Sequence, residues 1–475
     1  MRVVMSLWLG RWFLLAGGLA AACSPAAGQP AGELAPPAGA ATMPPASVIR
    51  VEGKPWFPIG LYRYPKHDPQ RDIFKAMAEA GFNLYLLPST ATKEELDAAQ
   101  ANGIRVMLVL GHLLDLSGTP EQIARKKKTL AEGIGPDSAA FQHPAVVALE
   151  GPDEPLWNTR YKPGQPGALP AELATWVRPA AEQRRVYALL EGLRDGYEEV
   201  HRLCGDRYQV WLNFAPRGDG DELRWFTELP AIGGYEQDGR TTADVFGTDI
   251  YPIPDGNGNN GWIRGRFVPS AATVGAFAEK LRRAVHPHPF YMVLQGCGVG
   301  EWNTKAVEAG TAQRRPTFTE QQFMVFDAIV HGAAGILYWG ANYIPDDSLY
   351  WQDIARVNQQ LRVLAPVLAE GTHWPGARSG LQEVTVLGKV YRGDHYVLAT
   401  NNHASISEPG WVAVPGWRGE RAYGLLDGRE VPVADGVIRD TIPPLSARVY
   451  TDGKGPAAPS IRTAGSAEAR SPGPG

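Results

Sequence analysis

The chain has 475 residues, 46 basic and 50 acidic side chains, a formal net charge of −4 and 44% hydrophobic residues. That length and apolar content can fill one large core and a smaller one. The near balance of charge argues against a nucleic-acid partner, since the one dense basic run, Lys126-Lys-Lys128, reads as a solvated helix face.

The first 22 residues carry Arg2 and Arg11 and then an apolar stretch from Phe13 to Ala22, ending at Cys23-Ser24. That pattern is an export signal, too short for the roughly 20 residues of a bilayer-spanning helix. Ala-Ala-Ala-Cys23 resembles a bacterial lipobox, in which the cysteine is acylated, although Ala20 stands where leucine is usual. The expectation is a signal over 1–23 with Cys23 lipidated and membrane contact through that anchor only; an ordinary secreted protein is the alternative. Residues 24–46 and 453–475 are dominated by Ala, Pro, Gly and Ser and read as tethers.

A strand and helix alternation occupies 47–370. Ser47 to Tyr62 predicts a hairpin turning at Glu52-Gly53 and feeding a first strand. Helices are predicted over Ile73–Ala80, Lys93–Ala101, Glu121–Ala131, Glu182–Leu203, Ala271–Val285, Thr317–His331 and Asp353–Leu368. Between them lie the strands Asn83–Leu87, Arg105–Leu110, Ala145–Leu149, Tyr208–Asn213, Asp244–Asp249, Phe290–Leu294 and Gly335–Trp339. Eight short apolar strands describe an α/β protein with a (β/α)8 TIM barrel better than an open doubly wound sheet, and no G-x-G-x-x-G or Walker A pattern follows any strand. From 371 to 452 short alternating runs between Gly, Asp, Asn and Pro turns predict a C-terminal antiparallel β-sandwich domain.

In a barrel of this kind chemistry gathers at the C-terminal ends of the strands. Those ends carry Tyr62 and Arg63, Pro88-Ser89, His112, Asp153-Glu154, Asn213, Asp249 and Tyr251, Gln295, and Tyr338-Trp339. Carboxylates and amides suit sugar hydroxyls, and Trp and Tyr suit the apolar faces of sugar rings. The long segment after Glu154 holds Trp157, Tyr161 and Trp176 and reads as a subsite wall or lid.

VEGKPWFPIGLY, GFNLYLLP, GPDEP, DIYPIP and the stretch from Arg315 to Tyr338 together resemble glycoside hydrolases of the clan A (β/α)8 type, over about Val48 to Leu368. The resemblance implies a carbohydrate substrate and a glutamate ending strand four as acid/base. The matching position is Glu154, with Asp153 where asparagine is common. A neighbouring anion and partial desolvation would keep that acid protonated until the leaving oxygen needs it.

The clan's nucleophile is a glutamate ending strand seven, where this chain has Gln295. Three repairs are open. Glu301, beside Trp302 in the following loop, could swing in; Asp249 could act as nucleophile or activate water; or the barrel binds a glycan, as an envelope lipoprotein, without cutting it. Asp249 is preferred to Glu301 because a strand end is more rigid than a glycine-rich loop. Trp302 and Gln295 complete the expected substrate contacts.

Asp255-Gly-Asn-Gly-Asn259 lacks the sixth-place glycine and twelfth-place glutamate of a calcium loop, and the ten histidines form no H-E-x-x-H pattern, so neither metal nor cofactor is expected. Cys204 precedes strand five at the barrel bottom and Cys297 follows strand seven at the top, roughly 17 Å apart, which predicts two free thiols. Sugar, linkage, stereochemistry and oligomeric state are left open.

Overall fold

A computed structural model describes residues 48–135, 138, 141–155, 180–215, 240–253, 261–263, 266–268, 271–302, 314–381, 383–405 and 408–453. The expected signal with Cys23, both tethers, the segment with Trp157, Tyr161 and Trp176, and Asp255–Asn259 lie outside the described residues.

Eight parallel strands close a barrel in chain order. They are β1 (Ile59–Leu61), β2 (Leu84–Pro88), β3 (Arg105–Val109), β4 (Val146–Glu150), β5 (Gln209–Phe214), β6 (Val245–Ile250), β7 (Phe290–Gln295) and β8 (Gly335–Trp339). The helices are α1 (Ile73–Glu79), α2 (Lys93–Ala101), α3 (Pro120–Ile134) and α4 (Ala180–Cys204), then α5 (Thr273–Val285), α6 (Phe318–Val330) and α7 (Leu349–Glu370). Three of them begin where the sequence dictates. Thr92 with Glu95, Thr119 with Gln122, and Thr317 with Glu320 form reciprocal capping boxes that satisfy the first amide groups of α2, α3 and α6.

Successive side chains on each strand face alternately into the barrel and toward the helices. Leu84, Leu86, Met107, Trp211, Val245, Tyr291, Val293 and Leu337 fill the interior, and Ile49 joins them from the segment leading into the N-terminal hairpin. Gly247 makes that filling fit, because a Cβ there would lie 2.6 Å from the Trp211 indole nitrogen. Cys204 and Cys297 are both free thiols.

Nine antiparallel strands from Thr372 to Thr451 form one sheet that curls into a sandwich-like body around Val397, Val412, Ile438 and Tyr450. Asp327 of α6 ties it to the barrel. Fully buried, its carboxylate accepts from Thr400 Oγ1 of the sheet at 3.0 Å and from the Gly275 amide of α5 at 2.9 Å, and it lies 3.3 Å from His331 Nδ1. Gly275 is obligatory, since a Cβ would stand 2.3 Å from Asp327 Oδ2. Nearby, Lys389 of the sheet reaches back to α7, donating to the carbonyls of Leu368 and Gly371 where that helix ends.

Removing the Asp327 carboxylate strands three partners in a dry interface. Asp327→Ala is expected to destabilise the protein by about 3–5 kcal/mol in urea unfolding. A loss below about 1 kcal/mol would refute the role given to this clamp.

Candidate active site

The polar groups of the barrel mouth stand on the inward-facing phase of β4, β5 and β6. On β5 and β6 the phase follows simple alternation: Trp211 and Val245 face the interior, so Asn213 and Asp249 do too. On β4 it is reset. Val106 pairs with Val146 but Met107 pairs with Ala148, so Val147 is an extra residue. This bulge leaves Val147 and Ala148 both packed in the interior cluster and sends Leu149 outward and Glu150 inward.

Glu150, only 4% exposed, is therefore a carboxyl inside the barrel. Burial, reinforced by the nearby Asp153, pushes its pKa up to about 8, and the Tyr62 hydroxyl partly offsets this. Among the described residues its Oε1 has no hydrogen-bond partner. Burial likewise pushes the Tyr62 phenol upward, as do the charges of Glu150, Asp153 and Asp249.

One turn further along the chain, Glu154 adopts a left-handed backbone with φ 45°, which is costly for a residue with a Cβ. Its amide donates to the Asn213 carbonyl at 3.0 Å, which anchors that conformation. Its carboxyl shares a hydrogen bond with Asp249. Burial first, then the charges of Glu154 and Asp153, push the Asp249 carboxyl well above the usual carboxylate range. Asn213 Nδ2 serves two carboxyls at once, Asp153 at 3.0 Å and Asp249 at 3.1 Å. The Tyr251 hydroxyl also bonds to Asp249.

Tyr251 stacks on Trp339 with ring centres 5.0 Å apart, and Trp302, which is exposed, meets Trp339 edge-on at 5.5 Å. Tyr343 adds a further ring beside Trp339. The mouth thus joins a hydrogen-bonded carboxyl pair to an aromatic platform of a kind that sugar rings stack on.

The structure brings together Tyr62, Asp153, Glu154, Asn213, Asp249, Tyr251, Trp302 and Trp339. It corrects three other expectations. Tyr338 is fully buried and faces the helices, packing on Phe82 at 5.9 Å, because its neighbour Trp339 takes the inward phase. Gln295 points inward but is committed to backbone: Oε1 accepts from the Ile253 amide, and Nε2 donates to the carbonyls of Ile253 and Cys297. Glu301 is held by Arg315 at 3.0 Å and caps its own helical turn through the Gly298 amide. Arg63 and His112 are exposed, with no described contact to the carboxyl group cluster. Among the described residues no group of His, Cys, Asp and Glu side chains is arranged to hold a metal. Glu150 was not anticipated, because a bulge leaves no mark on hydrophobic periodicity.

No protein-family model matches the chain, and no curated protein matches it. Among solved structures it is similar to an Anoxybacillus α-amylase described as a new glycosyl hydrolase subclass. The identity is 13% and the TM-score 0.51, over 83% of this chain and 97% of that one. It is also similar to the α-amylase of Geobacillus thermoleovorans in complex with acarbose, at 11% and 0.49 over 83% and 98%. A GH51 arabinofuranosidase from Xanthomonas axonopodis pv. citri matches at 12% and 0.49 over 86% and 97%. The first of these likenesses shows a shared fold, a closed eight-stranded parallel barrel followed by a β domain.

Glu150 gives the site a signature in stability. A carboxyl kept neutral when folded contributes fully below its unfolded value of 4.5 and loses that contribution as pH rises toward about 8. Between about pH 5 and 8 the urea midpoint is expected to fall, and Glu150→Gln to flatten the decline by on the order of a few kcal/mol. An unchanged slope in the variant would exclude Glu150 as its source.

Proposed function

We propose that this protein hydrolyses glycosidic bonds of an oligo- or polysaccharide at the barrel mouth, with Glu154 as general acid/base and Asp249 as the second carboxyl. The observation that carries this reading is the hydrogen-bond contact between the Glu154 and Asp249 carboxyls beside the stacked Tyr251 and Trp339 rings. Entry of a sugar parts the pair. The proton moves across the shared bond to Glu154, leaving Asp249 as a carboxylate facing the anomeric carbon.

Glu154 then gives that proton to the glycosidic oxygen as its bond to the anomeric carbon breaks. Water supplies the new oxygen on that carbon, and the water's released proton returns to the pair. Carboxyl separations of roughly 5–5.5 Å belong to retaining and 6.5–9.5 Å to inverting hydrolysis, so a pair in hydrogen-bond contact must open in either case. The left-handed backbone at Glu154 provides stored strain that such an opening can release.

A second reading, glycan binding without cleavage, is favoured by one observation: Gln295, at the end of β7, is neutral and fully engaged with backbone. A panel of aryl glycosides and polysaccharides separates the two. Glu154→Gln and Asp249→Asn are each expected to lower kcat/KM by about 10²–10⁴. Glu301→Gln, which breaks an ion pair outside the mouth, is expected to leave kcat within a few-fold. Glycan binding with no turnover anywhere on the panel would reject the hydrolase reading and leave the binding one.

The reading extends to location, in which Cys23 carries a lipid that anchors the protein to a bacterial envelope. Among the described residues no helix is long and apolar enough to cross a membrane. Labelled palmitate is expected to enter the wild-type protein and not Cys23→Ala, which should leave the membrane fraction. Equal labelling of both would refute the anchor.

A further inference from the structure

Asn213 joins two carboxyls that stand at different depths. Its Nδ2 donates to Asp153 Oδ1 at 3.0 Å and to Asp249 Oδ1 at 3.1 Å, so those oxygens lie no further apart than the two bonds laid end to end. An amide nitrogen has two hydrogens, and both are spent here. Asp249 and Asn213 are only 7% and 3% exposed, whereas Asp153 is exposed. The bridge thus runs from water at Asp153 to a dry carboxyl at Asp249, with a neutral group between them.

The described groups that face Asp249 are Asp153 and Glu154 of the turn after β4, Asn213 of β5, and Tyr251 just after β6. Glu154 is in hydrogen-bond contact with Asp249, whereas Asp153 acts on it by charge. The same charge acts on Glu150 of β4, on Tyr62 of β1 and on Tyr251. Two carboxylates tied to one amide repel each other across a medium that water barely enters, so the inner one ionises less readily while the outer one is charged. A sugar hydroxyl that donates to the outer carboxylate spreads its charge and relaxes the inner one.

Resting on the reading of Asp249 as the second carboxyl, we propose that Asp153 is a positioning residue for it. Held by Asn213, the Asp153 charge keeps Asp249 from ionising in the free protein, and a sugar hydroxyl docked on Asp153 releases that hold. Substrate contact at Asp153 and the appearance of the inner carboxylate become one event. Only hydrogen bonds change in this step, and the proton that leaves Asp249 goes to Glu154.

Infrared titration of the full chain with carboxyl-labelled aspartate tests this. The Asp249 band is assigned by its loss in Asp249→Asn. Asp153→Asn keeps an oxygen for Asn213 Nδ2 and removes the charge, so the Asp249 midpoint is expected to move to lower pH by about half a pH unit or more. In an Asn213→Ala background, where Asp153 has lost its tether, the same replacement is expected to move it by less than half as much. A role confined to folding would not move a titration midpoint in one direction.

An Asp249 band that titrates at the same pH with and without Asp153→Asn, or in neither protein, overturns the proposal. An equal shift in both backgrounds overturns the part given to Asn213. The readout needs no turnover, so its failure is separable from that of the hydrolase reading. A shifted midpoint with no cleavage of any glycan rejects only the hydrolase. In an active enzyme the acid limb of kcat/KM is expected to move with the band, and cleavage with an unmoved band rejects only the link to Asp153.

Discussion

Two carboxylates cannot hydrogen-bond to each other unless a proton lies between them, and the contact of Glu154 with Asp249 fixes one there. The arrangement of the mouth follows from that proton. Asp249 comes from a strand inside the barrel and is almost without solvent, whereas Glu154 comes from a loop and is half-buried, so burial raises the inner carboxyl. Asn213 and Tyr251 then donate around the pair without adding charge to it. A lysine or arginine in the place of either would ionise both carboxyls and end the sharing.

Holding such a pair in register requires a scaffold that does not yield, and the packing below it is of that kind. Trp211 lies across the interior in the space that Gly247 leaves, and meets Tyr62 edge to face and Tyr291 at a tilt. These rings pack together in the interior next to Glu150, which pairs in register with Trp211. On the outside, Asp327 fastens α5, α6 and the C-terminal sheet together, so the curled sheet braces the helices behind β7 and β8.

The barrel was legible in the sequence because each strand is a short apolar run and several helices announce their first turn with a Thr and a Glu or Gln three residues on. Glu154, Asn213, Asp249 and Tyr251 were legible because strand ends face the mouth. What escaped was phase. Tyr338 and Trp339 are adjacent aromatics of equal promise on paper, and only alternation decides which one faces inward. Glu150 depends on the extra residue Val147, which looks like any other member of HPAVVALE.

In the C-terminal region Val384–Tyr391 is one continuous strand that runs through Gly388. That glycine is no break. It lets the strand pass the Trp374 carbonyl, which a Cβ would approach to 2.5 Å. The strands Arg421–Gly424, Glu430–Ala434 and Val437–Ile442 leave a weaker mark in the sequence, because their outward faces are polar and Pro432 interrupts one of them.

Gln295 shows how a local demand can outrank a catalytic one. Its Nε2 donates to two carbonyls, those of Ile253 and Cys297, while its Oε1 accepts from the Ile253 amide. An ionised glutamate has no hydrogen to give, so in this place it would face two carbonyl oxygens across a dry gap. It could stay only by taking up a proton, and a protonated acid is no nucleophile. The loop after β6 is therefore built on an amide. That loop carries Tyr251, whose hydroxyl holds Asp249 and whose ring stacks on Trp339. A glutamate at 295 would disturb the staple that positions Asp249, which is why the proposed reading takes its second carboxyl from β6.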